Sequence, residues 1–362
     1  MKTSAVLSLA LLGLATASPV ALPQDIDFDS YDSIPVAVDK SAPVNPVVAP
    51  AAVSYDPSAA ITSAVSAATA AVDADLNKRE IHLVEKRGSC NASPAGNAPA
   101  VSPDTDIAFL TNPDFATAAN GATPPPGYFL AVGYQNLAAS ASSPSYLTYI
   151  SDPLTSYDPA QCATACNAMT GCVSFNIFFE RDPSIYVDSV NCPTASSVTR
   201  IKCSFFGAPI TVADATNAGQ YTGNFHVVIA GSNTYTTAPQ PLPGFTGPVS
   251  VNNASIISPT AANTYMGVQS FVMTQPFDPS VCAAACTEKS AYNTRHAVAG
   301  VAPRLCMFFD AYILYKNGAN GVFTCTYYTQ AYDKSYATNF GQYNSAGDHF
   351  TIGHSYLYSV SS

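Results

Sequence analysis

The stretch YDPAQCATACNAMTGC, Tyr157–Cys172, decides how the rest of the chain is read. Asp158 is a natural helix N-cap, and Pro159 suits the first helical position, where a missing N–H costs nothing. Gln161 stands three residues after the cap, the spacing of a capping box, and Tyr157 before the cap is placed to pack on Cys162. Cys162 and Cys166 are four residues apart, so both thiols leave one face of the helix. Such a pattern staples a short helix onto a sheet. FDPSVCAAAC, Phe277–Cys286, repeats each element: Phe277, Asp278, Pro279, Cys282 and Cys286.

Working outward, the landmarks of two copies keep nearly constant offsets, the mark of an internal duplication. Gly127 and Asn136 correspond to Gly244 and Asn253; Cys162 and Cys166 to Cys282 and Cys286. Cys203, Asn217, Gly219, Gln220 and Tyr221 correspond to Cys325, Asn339, Gly341, Gln342 and Tyr343. The second copy has a longer connection between its helix and Cys306, and the first has a longer one before Cys203, containing the additional Cys192. After the helix, CVSFNIFFE (172–180) aligns with CMFFDAYIL (306–314), and IKCSFF (201–206) with FTCTYY (323–328). All four are dense in the aromatic and β-branched residues of strands. Lys316-Asn317-Gly318 is a turn signal, and Phe225–Ala230 and Phe350–Gly353 read as closing strands. The expected fold class is α+β: two disulfide-stapled repeats, 126–240 and 241–362, each a short helix on an antiparallel sheet.

The residues ahead of the repeats read differently. Lys2, the apolar run Val6–Leu14 and Ala15-Thr16-Ala17 form a signal peptide pattern over 1–17, with cleavage after Ala17. Residues 18–87 lack cysteine and are rich in Pro, Ala, Val and Ser, so a disordered propeptide is expected there. It ends in two dibasic pairs, Lys78-Arg79 and Lys86-Arg87, and either could be the processing site, with Lys86-Arg87 nearest to Cys90. Residues 88–125 read as an extended N-terminal arm tied down by Cys90. The C-terminal Ser355–Ser362 has no hydrophobic tail of the length a lipid anchor needs, so an unanchored chain is expected.

Composition bounds the function. Of 362 residues only 10% are charged, the net charge is −10, and ten cysteines fall at ordered spacings. These are the features of a secreted, disulfide-bonded protein, and the acidic balance argues against nucleic acid or an anionic membrane as partner. Asn91 and Asn253 head the two Asn-x-Ser/Thr sequons and are the expected glycosylation sites. No catalytic constellation is recognisable. Beyond the N-terminal segments the histidines are His226, His296, His349 and His354; Gly353-His354-Ser355 lacks the nucleophile-elbow spacing, and Asp348-His349 puts neighbouring side chains on opposite strand faces. Glu180 and Asp182 could share a face as paired acids, but Arg181 between them and Pro183 after them favour a structural turn. The thiols are better used in disulfides than in a metal site, and no cofactor or metal is expected. The tyrosines Tyr327, Tyr328, Tyr332, Tyr336, Tyr343, Tyr356 and Tyr358 could form a sugar-stacking or docking face, although half-buried sheet positions suit most of them better.

Four stretches carry a family likeness: Ser156–Cys166 (SYDPxxCAxAC), Cys172–Ser184 (CxxFNIxFERDPS), Ile201–Gly207 (xxKCSxFG) and Gly219–Tyr235 (GQYxxxFHVVIAGSNxY). In these the chain resembles the secreted fungal PAN/apple-like domain family, over about 126–358. The second copy diverges, with Leu314-Tyr315-Lys316-Asn317 in place of Glu180-Arg181-Asp182-Pro183. The resemblance implies a PAN-like fold and an extracellular role in binding protein or glycan, and it supplies no ligand; with no catalytic constellation in the sequence, the expectation is a non-catalytic binding protein whose target is polysaccharide, glycoprotein or another extracellular protein. The alternative is a structural or self-associating protein of the cell wall or matrix.

The duplication also narrows the disulfide pattern, because equivalent cysteines should pair equivalently. Cys166 is close enough in sequence to bond Cys172, and Cys286 then bonds Cys306. One turn earlier, Cys162 reaches Cys203 and Cys282 reaches Cys325. Cys90 and Cys192, which stand outside the repeat pattern, remain for each other.

Overall fold

The computed structural model describes residues 26–44, 51–69 and 90–361, apart from 153, 260 and 261. The signal peptide reading, Ala17, Lys86, Arg87 and the Lys78-Arg79 pair lie outside the described residues. The chain is α+β, with antiparallel sheets, few helices and five disulfides.

Ahead of the repeats stand four helices: α1 Phe28–Asp32, α2 Pro57–Thr69, α3 Asp106–Leu110 and α4 Pro113–Gly121. Module 1 follows with β1 Tyr128–Leu130, β2 Tyr146–Ile150, α5 Pro159–Asn167, β3 Ser174–Pro183, β4 Ser197–Phe206, β5 Gly219–Thr222 and β6 Phe225–Thr237. Module 2 holds β7 Phe245–Asn252, β8 Ser255–Ile256, β9 Tyr265–Val272, α6 Pro279–Arg295, β10 Phe308–Lys316 and β11 Ala319–Tyr328. It ends with β12 Ala337–Asn339, β13 Gly341–Tyr343 and β14 His349–Val360. The two main sheets have one topology. In module 1 the order is β6-β3-β4-β2, with β1 and β5 both paired to β6; in module 2 it is β14-β10-β11-β9, with β7 and β13 both paired to β14.

Each strand divides its side chains between two faces. On the helix side of module 1, Phe175, Ile177 and Phe179 pack with Phe205, Tyr235 and the buried Cys162, Cys166 and Cys203. Phe309, Ala311 and Ile313 pack with Phe323, Cys282, Cys286 and Cys325 in module 2. The disulfides follow the equivalence of the copies: Cys162–Cys203, Cys166–Cys172, Cys282–Cys325 and Cys286–Cys306, with Cys90–Cys192 outside the repeats.

The cap of α5 differs in detail from a capping box. The Asp158 carboxylate accepts from the Ala160 N–H at 2.9 Å, and the Gln161 amide donates to that same carboxylate rather than to the cap's backbone. Tyr157 stacks on Phe179 at 4.9 Å, and its hydroxyl donates to the Gly231 carbonyl at 2.6 Å. The second helix is not short. In module 1 α5 ends at Asn167 with Ala168 as its C-cap, and Gly171 at φ +82° then turns the chain back to Cys172; in module 2 the longer connection to Cys306 lets TEKSAYNTR continue the helix, and α6 runs to 17 residues.

Three further expectations are corrected. The arm is not simply extended: Ala92 and Ala98 bridge to Ile185 and Thr199, and the chain then forms α3 and α4. Asn112 caps α4 and Pro113 opens it, a start signal that the sequence carried. Residues Glu180–Pro183 continue β3 instead of turning. Most consequentially, the described parts of 18–87 are ordered against the modules. Polar and alanine-rich text lacks a core of its own, but here it borrows two. Ala64 of α2 is buried against the module 2 core, and the Gln269 amide donates to its carbonyl at 2.9 Å.

Candidate functional site

The helix covers one face of each sheet; the N-terminal segment covers the other. On module 2 that second face is apolar: Tyr312 and Leu314 of β10, Val322 of β11, and Phe350 and Ile352 of β14. Ile26 and Tyr31 are buried on it, with the rings of Phe28 and Tyr31 at 4.7 and 5.0 Å from Phe350. Burial pushes the Tyr31 phenol up to about 12.

On module 1 the positions equivalent to Leu314, Lys316, Val322 and Thr324 hold Glu180, Asp182, Arg200 and Lys202. Glu180 and Asp182 alternate along β3, and Arg200 and Lys202 along β4, so antiparallel pairing gathers all four on one face. All four are buried. Arg200 Nε lies 3.0 Å from Asp182, and Lys202 Nζ contacts Glu180 and lies 3.3 Å from Asp182. The Arg200 guanidinium donates onward to the Ala95 and Pro94 carbonyls of the arm. Burial pushes the Glu180 carboxyl well up, with the neighbouring Asp182 charge adding to it. Burial alone would depress Lys202, but the charges of Asp182 and Glu180 hold it above its ordinary value. Glu180 and Asp182 thus share a face as paired acids would, yet each sits against a cation, an ion cluster rather than an acid–base pair.

A second feature recurs in both modules. At the β5–β6 hairpin Tyr221 lies opposite His226, and at the β13–β14 hairpin Tyr343 lies opposite His349. The rings stack nearly parallel, 4.2 Å apart at 4° and 4.3 Å apart at 11°. Both tyrosines are 69% exposed. His226 Nδ1 is 2.7 Å from Asp106, whose carboxyl that contact holds below its usual value, so α3 fixes the first imidazole.

Of the tyrosines singled out in the sequence, Tyr327, Tyr328, Tyr332, Tyr356 and Tyr358 are buried, and Tyr336 and Tyr343 are exposed. Tyr221 escapes notice by sequence density because it stands alone, although its place in the repeated Gly-Gln-Tyr marks it. The cations Arg200 and Lys202 were missed as well; their alternation opposite Glu180 and Asp182 is the signal that would have found them.

The remaining candidates separate. Asp348 accepts from the Asn317 and Asn344 amides and from Lys316, which together hold its carboxyl low, while His349 stacks on Tyr343; the two form no dyad. Burial drives His354 down to about 4, and the residue sits at φ +52° in a bulge of β14. Asn91 and Asn253 are both exposed. Among the described residues no group of three His, Cys, Asp or Glu side chains could hold a metal ion, no cysteine is free, and no helix is long and apolar enough to cross a membrane. Five disulfides fit an extracellular or secreted protein. Comparison of the chain with protein-family models, with curated proteins and with solved structures finds no match.

Proposed function

We propose that this is a secreted, non-catalytic binding protein with two PAN/apple-like modules, and that its target is extracellular polysaccharide. The observation that carries this reading is the duplicated hairpin pair, Tyr221 on His226 and Tyr343 on His349. An exposed tyrosine backed by a second ring offers a flat apolar face with a polar rim, the shape and chemistry that a pyranose ring meets by stacking. Two such platforms on one chain let a polymeric ligand engage both, so weak individual contacts add as avidity. Glycosylation at Asn91 and Asn253, processing at Lys78-Arg79 or Lys86-Arg87 and export by the signal peptide belong to the same reading.

Sedimentation with insoluble chitin, glucan and mannan tests it. Each of Tyr221→Ala and Tyr343→Ala should weaken binding roughly 3- to 10-fold, the range of one aromatic stacking contact, and the double variant should lose it. Retention of full binding by the double variant would refute the assignment. Concentration-dependent association in ultracentrifugation, with no polysaccharide bound, would favour a self-associating matrix protein instead.

A further inference from the structure

Module 1 carries a second surface, unrelated to the Tyr–His hairpins, that already holds a ligand-like piece of chain. Residues Lys40–Pro43 lie extended across it. Lys40 and Ser143 exchange both backbone hydrogen bonds, at 3.1 and 2.9 Å, as one rung of an antiparallel ladder. Ala42 is buried among Tyr149, Phe178 and Ile229, a pocket of small side-chain size. The Pro43 carbonyl accepts from Lys202 Nζ at 3.2 Å. Main-chain pairing, one side-chain pocket and one carbonyl clamp are the parts of strand-addition peptide recognition.

The duplication shows that the fold does not require this arrangement. Module 2 builds the same sheet with Leu314, Lys316, Val322 and Thr324 where module 1 has Glu180, Asp182, Arg200 and Lys202, and there the N-terminal segment covers the face mainly by apolar contact, with a half-exposed Lys316–Asp32 pair at its edge in place of a buried four-charge cluster. Burying four charges is expensive, and apolar replacements at such positions are commonly neutral or stabilising. Among the described residues Glu180 Oε2 and Asp182 Oδ1, both fully buried, have no hydrogen-bond partner. The cluster is therefore poorly explained as a stabilising device. It does orient Lys202, an ammonium with three donors, so that one is left to reach the carbonyl of a chain lying over it.

We propose that this face of module 1 is a groove for an extended peptide with a small residue followed by proline, supplied by a partner protein, and that Lys40–Pro43 holds it closed in cis. Proline suits the position after the pocket, because it brings no N–H that would need a partner once buried. Because α1 and α2 dock on either side of it, Lys40–Pro43 stays tethered to the modules whether or not the chain is cut at the dibasic pairs. The tether matters because an attached segment competes at high effective concentration with any free peptide.

The test uses the full chain. Ala42→Tyr overfills the pocket and should expel Lys40–Pro43 while α1 and α2 stay docked. A fluorescein-labelled peptide of residues 36–44, VAVDKSAPV, is then titrated by anisotropy against the wild-type and A42Y chains. The expected result is binding to A42Y and roughly 10- to 100-fold weaker binding to wild type, the range set by the cost of overpacking. A peptide carrying the same Ala42→Tyr change should fail on both chains, which leaves the protein itself unaltered in that comparison. Hydrogen exchange gives an independent readout: the Ser143 amide should lose protection in A42Y and regain it on peptide addition. Equal binding to both chains, no binding to A42Y, or indifference to the peptide's own substitution would overturn the proposal. So would displacement of the peptide by soluble glucan oligosaccharide. None of these measurements depends on Tyr221 or Tyr343, so failure here and failure of the polysaccharide reading are distinguishable.

Discussion

Asp310 and Asn176 occupy equivalent places in the two modules and do one job with different chemistry. Asn176 accepts from the Ala141 N–H and donates to Ser232 Oγ, both at 2.9 Å. Asp310 accepts from the Ile256 N–H at 3.1 Å and contacts Ser355 Oγ at 2.7 Å. Ser232 and Ser355 each follow the bulged residue, Gly231 or His354, so the buried polar group holds the bulge. Complete burial pushes the Asp310 carboxyl from 3.8 up to about 7. A raised acid favours the folded state below its unfolded value, and that stability is lost as pH rises through the folded value. Asp310→Asn, which copies module 1, should therefore stabilise the protein above pH 7 by up to about 4 kcal/mol and do little below pH 4. Thermal unfolding across that window checks it; a gain independent of pH would show that the carboxyl does not titrate there. Gly219 and Gly341, also equivalent, adopt φ of +98° and +132°, and a Cβ at either would stand 2.1 Å from a backbone carbonyl oxygen of the partner strand. Gly219→Ala or Gly341→Ala should cost about 2 kcal/mol or more, read as a lower denaturant midpoint.

At the scale of elements, the disulfides do unequal work. Cys162–Cys203 joins α5 to β4 through the core, with both residues fully buried. Cys90–Cys192 fastens an arm that is otherwise held by backbone bonds, from Cys90 N to the Tyr186 carbonyl at 2.8 Å and from Ser93 N to the Ser184 carbonyl at 2.9 Å. In the chain-entropy model the two bonds contribute similarly, about 4 and about 4.7 kcal/mol. Replacing Cys162 and Cys203 by alanine adds core cavity to that loss, whereas replacing Cys90 and Cys192 leaves the backbone bridges in place. The first pair of substitutions should reduce the yield of folded protein and its unfolding temperature more than the second. The opposite order would mean that the arm, not the helix staple, controls folding.

For the whole molecule, the N-terminal segment is part of the folded body. Its α1 lies on one module, Lys40–Pro43 on the other, and Tyr55 reaches the cap of α6, donating to Asp278 at 2.6 Å. A folded chain cut after Arg87 should keep the fragment through gel filtration at neutral pH, because it is held at three separate places: Ile26 and Tyr31 on one module, Ala42 on the other, and Ala64 in the helix-side core of module 2. Stripping the fragment with mild denaturant should expose Tyr312, Leu314, Phe350 and Ile352 and raise binding of an apolar dye. Elution of the fragment immediately on cleavage would contradict this.

The sequence by itself determined the duplication, the α+β class and the cysteine pattern. Each of these is local or periodic: Asp158-Pro159 and Asp278-Pro279 open helices, cysteines four apart share a face, and Gly-Gln-Tyr recurs because only glycine tolerates its backbone angle. The tertiary structure alone decided the rest. Residues 26–44 and 51–69 are too polar and alanine-rich to order themselves; the first is ordered because each sheet leaves a second face for it to cover, and the second because α2 packs against α6 and the helix-side core of module 2. Likewise Glu180 and Lys202 are ordinary charges in the sequence. Pairing of β3 with β4 and the chain laid across both turn them into a buried cluster, and composition holds no information about which faces a fold will close.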